Sequence, residues 1–164
     1  MPRKNSPKIK ILLVNTNIPR NTKIMVQKVT DQFTENPYQV QEVIDEIDQI
    51  AKSGLALLTS ECDIMGESNM FTKWGQLLER NQHLLAVGLG VSHSKLDAVC
   101  KIAMNYGLYA KLTGAGGGGY AFFILPEILP TKVLDCVKSE LIKMDCSVCE
   151  TTLGASGGVK INVL

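Results

Sequence analysis

Between Thr113 and Tyr120 the chain places five glycines in six positions, Gly114-Ala115-Gly116-Gly117-Gly118-Gly119. Glycine loses more backbone entropy on folding than any other residue, so such a run fits neither a packed helix nor a strand interior. Apolar segments flank it, residues 108–112 (LYAKL) before and 120–125 (YAFFIL) after, and both read as buried strands. A glycine loop pinned between core strands lets the backbone approach a ligand closely, with successive N–H groups turned into one concavity that suits an anion. A flexible hairpin tip is the alternative, although a tight two-residue turn needs fewer glycines.

A chain of 164 residues is long enough for one ordinary domain with a real core. Residues 8–164 are expected to form that domain, behind a solvated tail over residues 1–7 whose two prolines disfavour a helix. Hydrophobic residues make up 45% and charged ones 20%, as in globular proteins. A formal net charge of +1 supplies no global field toward nucleic acid or a membrane surface. No apolar run approaches the roughly 20 residues of a bilayer span, and the N-terminus lacks the apolar stretch of a signal peptide, so a cytoplasmic location is expected. The five cysteines are scattered, which suits reduced thiols. Cys146 and Cys149 have the CxxC spacing, but no second pair of ligands completes a zinc site, and no metal-binding set is expected.

Hydrophobic periodicity predicts strands over residues 8–14, 108–112, 120–125, 147–152 and 159–163. It predicts helices over 23–33, 38–59, 69–87, 92–106 and 132–144. Asn21 or Thr22 is placed to cap the first helix, Ser92-His93-Ser94 the fourth, and Gly107 to end it. Ile24, Val29 and Phe33 are expected inward on the first helix, and Trp74 and the methionines in the core. His83 is expected to be packed and His93 to be packed or capping. The element order implies an α+β class: a split βαββαβ sheet with extra helices in its first crossover, packed on one face.

The run Lys111 to Gly119 (KLTGAGGGG) closely resembles the third motif of the GHMP kinases, the superfamily that includes galactokinase, homoserine kinase and mevalonate kinase. Its spelling is most similar to that of the mevalonate kinase family. Residues 11–22 (ILLVNTNIPRNT), 81–85 (NQHLL) with 90–93 (GVSH), and 150–155 (ETTLGA) also resemble family stretches, in the family's order. The resemblance covers nearly the whole chain but only the C-terminal part of such a kinase, and it implies a ferredoxin-like GHMP C-terminal fold. It implies that Gly114, Ala115, Gly116, Gly117 and Gly118 line a cleft against the phosphates of ATP and the acceptor substrate, mevalonate. Thr22 resembles a position beside that substrate, with helix capping as its other reading. Lys111 is a further candidate, or a solvated edge charge, and Arg20 reads as a surface-loop charge, with contact to a substrate anion as its other reading.

In the family, an N-terminal domain carries the adenine pocket, a second phosphate loop, the Mg²⁺ ligands and the catalytic carboxylate. No counterpart of these occurs in the chain, and no Walker A pattern occurs either. No catalytic residue is therefore assigned, and ATP and Mg²⁺ are expected to belong to the complete enzyme rather than to this chain alone. Two functions stay open: the C-terminal part of an ATP-dependent mevalonate kinase, inactive alone and partnered by an N-terminal kinase domain, or a non-catalytic domain that binds a small anion or dimerises.

Overall fold

The computed structural model describes residues 8–59 and 67–154. Four strands form one antiparallel sheet: β1 (Ile9–Asn15), β2 (Tyr109–Thr113), β3 (Tyr120–Ile124) and β4 (Ser147–Leu153), in the order β2-β3-β1-β4. Between β1 and β2 come α1 (Thr22–Glu35), α2 (Pro37–Thr59), α3 (Glu67–His83), a π-helical turn over Leu84–Gly88 and α4 (Ser94–Asn105). α5 (Thr131–Lys143) links β3 to β4. The split βαββαβ arrangement and its enlarged first crossover are those the sequence predicts.

Period-two alternation decides which face of the sheet is buried. Leu12 and Val14 of β1 pair with Phe123 and Ala121 of β3, and Leu112 of β2 pairs with Ala121; all five are fully buried. Leu96, Val99 and Ala103 of α4 and Val137 and Leu141 of α5 close over this face with no exposure, and the core is one continuous cluster. Lys138 of α5 ion-pairs with Glu150 of β4 at its rim.

The edge strand β2 is covered by α3 rather than left open, which removes a template for foreign strand pairing. The Leu112 N–H donates to Gln82 Oε1 at 2.8 Å. Phe71 and Tyr109 pack ring to ring with centroids 5.3 Å apart. A side chain at Gly75 would collide with the Tyr109 ring, at 2.1 Å, so α3 can lie this close only with glycine there.

Several expectations are corrected. α1 has no buried residue: Ile24 is 57% and Phe33 43% exposed. The reason is that α1 packs on α2 and a small second cluster, Val40, Leu89 and Val91 with Met25 and Val29, rather than on the sheet. The helix predicted to run to Val87 ends at His83, where the ladder slips to i→i+5 spacing and the Leu89 N–H donates to the Leu84 carbonyl at 2.9 Å. α3 begins at Glu67, two residues before the predicted start at 69. His83 is exposed, Met104 is 65% exposed, and Trp74 is only half-buried. The predicted strand over 159–163, the loop over 155–158 and Cys62 lie outside the described residues.

Candidate functional site

The glycine run closes the β2–β3 hairpin, yet it is tied down on both sides. The Gly117 N–H donates to the Val91 carbonyl at 2.8 Å and the Gly119 N–H to the Ile18 carbonyl at 2.9 Å. The Gly119 carbonyl in turn accepts from the Thr16 N–H and from the fully buried Thr16 Oγ1, both at 2.8 Å. The loop is therefore wedged between the β1–α1 connection and the segment after the π-helical turn, which sets the Val91 carbonyl against it.

Much of the glycine requirement comes from the protein itself. At Gly116, φ is 81° and a Cβ would stand 2.0 Å from the Val91 carbonyl oxygen. At Gly118, φ is 134° and a Cβ would meet the Ile18 carbonyl oxygen at 2.8 Å. The sequence argument reserved this space for a ligand, whereas at these two positions the chain's own backbone occupies it.

The N–H groups of Gly114, Ala115, Gly116 and Gly118 have no acceptor among the described residues, although Gly116 and Gly118 are buried. Arg20 lies over this loop: its Nη1 would be 2.9 Å from a Cβ at Gly114 and its Cδ 3.2 Å from one at Gly119. It is exposed and has no acidic partner among the described residues. The first turn of α1 closes the third side, with Met25 Sδ against Gly117. Asn21 caps that turn, its Oδ1 accepting from the Ile24 N–H at 3.2 Å, and the positive end of the helix dipole faces outward beside Arg20.

Among the seven predicted site residues, Gly114 to Gly118 lie together in the β2–β3 loop, with the Gly117 N–H already committed to Val91. Thr22 opens α1 on the same side as Arg20 and is exposed; the cap itself is Asn21. Lys111 is turned elsewhere. Its Nζ donates to the Leu112 carbonyl at 2.7 Å and stands 5.7 Å from the Phe122 ring centroid, in a groove against α2 and α3. Burial holds its ammonium below the usual lysine range. Arg20, between the end of β1 and the Asn21 cap, is the charged side chain that lies against Gly114 and Gly119.

His93 Nδ1 accepts from the Lys95 N–H at 3.1 Å and caps α4. Cys146 is buried beneath β4 while Cys149 is exposed, so the CxxC pair does not share one environment. Among the described residues no three His, Cys, Asp or Glu side chains gather into a metal-binding group, and no helix is long and apolar enough to cross a membrane.

The glycine loop, Arg20 and the N-terminus of α1 thus sit together at one end of a split βαββαβ sheet. Residues 67–143 match the family model for the C-terminal region of GHMP kinases. More particularly, the chain is similar to the C-terminal part of mevalonate kinases: 34% identical to that of Mus musculus over 161 residues and 35% to that of Homo sapiens over 157. Those alignments take in 94% of this chain but 38% of each relative, so the chain spans well under half their length. The fold agrees with a crystal structure of L. major mevalonate kinase in complex with R-mevalonate, at a TM-score of 0.73 and 21% identity, over 94% of this chain and 45% of that one.

Proposed function

We propose that this chain is the phosphate-orienting C-terminal part of an ATP-dependent, cytoplasmic mevalonate kinase, with residues 8–164 acting as one domain. The observation that carries the reading is the pair of buried amides, Gly116 and Gly118, with no acceptor among the described residues. A buried donor left unpaired costs about 1–3 kcal/mol, and an anion seated over the nest relieves that cost. Arg20 adds a planar, permanently charged donor set that matches phosphate oxygens.

The donors fit the phosphate oxygens of ATP. They do not fit Mg²⁺, because the site offers N–H groups and a guanidinium and no carboxylate oxygen, so no step is routed through the ion. When bound, ATP supplies the phosphoryl group that a mevalonate hydroxyl accepts. The chain's own part is to bind and orient: free amides fix phosphate oxygens, Arg20 balances charge as it spreads over them, and the α1 N-terminus favours the same sign. Among the described residues no side chain near the nest is placed to take the hydroxyl proton, so that role falls to the N-terminal domain that mevalonate kinases carry.

The test is an ADP-release assay with ATP, Mg²⁺ and mevalonate. The isolated chain should show no turnover above background. Fused downstream of the N-terminal part of the mouse relative it should turn over, and Arg20→Ala in that fusion should lower kcat by about 100-fold, as loss of one donor to developing charge does. Normal turnover by the isolated chain, or an unaffected Arg20→Ala fusion, would contradict the proposal.

A further inference from the structure

The groove that receives Lys111 lies apart from the nest: none of the residues lining it belongs to the glycine loop. It runs between α2, α3 and the sheet face opposite the core, and its volume is about 420 Å³. That size falls within the range of small-molecule pockets, about 300–1,000 Å³. Leu55 of α2, Trp74 and Leu77 of α3, and Phe122 of β3 supply apolar walls. Among the described residues only two lining side chains are strongly polar, Lys111 and Asn81, and no Asp or Glu lines the groove. The Lys111 ammonium donates to the Leu112 carbonyl, stands over the face of Phe122, and has no acidic partner among the described residues. The Asn81 side chain makes no hydrogen bond among the described residues.

We propose that this groove binds an amphipathic monoanion with an unbranched apolar tail and a carboxylate head, in short a free fatty acid. Charge complementarity selects the head: a half-buried cation without an acidic partner is relieved by an incoming anion. A single ammonium balances a single charge. The two carboxylate oxygens can be shared between the Lys111 ammonium and the Asn81 amide, while the apolar walls take the tail by removing it from water. A multiply charged head would leave charge uncompensated against leucine and tryptophan.

The only tryptophan in the chain, Trp74, lines the groove and reports on it directly. Decanoate, kept below its micelle concentration, is titrated into the intact chain while tryptophan emission is followed, with the neutral 1-decanol as a second arm. Decanoate should give a saturable emission shift at least about tenfold tighter than decanol. Lys111→Met should remove that advantage and leave decanol binding unchanged, which also shows that the variant retains the groove. Leu55→Glu, at a side chain already 62% exposed, should weaken decanoate more than decanol. The absence of a saturable shift, equal affinity for acid and alcohol, or an advantage surviving Lys111→Met would overturn the proposal. So would an emission shift that follows protein concentration alone, since a second copy would then fill the groove.

Discussion

At Gly116 an added Cβ would collide with the Val91 carbonyl oxygen on a backbone of positive φ. Gly116→Ala should therefore lower stability by about 2–4 kcal/mol, in the range of strain combined with overpacking. A chemical-denaturation curve measures it without any ligand. Arg20 behaves oppositely. It is exposed and unpaired among the described residues, so Arg20→Ala should change stability by no more than about 0.5 kcal/mol, yet it should abolish phosphate binding. Glycine substitutions therefore test the fold, and Arg20 tests the site. That division was not legible in the sequence, because the residues crowding the glycines come from positions 18 and 91, brought in by tertiary contact. The presence of a pinned loop between two core strands was legible, since the flanking apolar segments leave the run no other place. Lys111 gives a pH test. Burial lowers its pKa in the folded state, so the charged form is disfavoured only there. That cost is full below the folded pKa and disappears above the unfolded value, near 10.4. Lys111→Met should raise the melting temperature at neutral pH, and its gain should shrink as pH climbs toward that value.

Elements were legible wherever periodicity met a single burial surface. β1, β3, α4 and α5 pack one face of the sheet, and their apolar positions repeat with the expected period. α1 misled because Ile24 and Phe33 keep a helical spacing without a core to enter. The π-helical turn at Leu84–Gly88 carries no distinctive residue pattern; it follows from fitting α3 along β2 while delivering Val91 to the glycine loop. Gln82 fixes that fit. Gln82→Leu removes the acceptor of the buried Leu112 N–H and should cost about 1–3 kcal/mol. Gln82→Glu keeps an acceptor and should cost less than Gln82→Leu; equal losses in urea unfolding would show that the hydrogen bond is not what joins α3 to the edge strand.

Across the whole molecule, apolar side chains remain outside: Ile24, Val26, Leu55 and Val87 are each more than half exposed. The chain also spans only 38% of the length of its mevalonate kinase relatives. Such surface associates in water, so light scattering on the purified chain should give a mass that rises with concentration; a constant monomer mass would contradict this. The resemblance to mevalonate kinases was legible from four short stretches in order. The sharpest test of the anion nest is amide NMR of the isolated chain titrated with pyrophosphate. The unengaged N–H groups of Gly114, Ala115, Gly116 and Gly118 should shift together and saturably, those of Gly117 and Gly119, already committed to Val91 and Ile18, should move least, and Arg20→Ala should erase the response. Shifts centred on Gly117 and Gly119, or none in the loop at all, would contradict it.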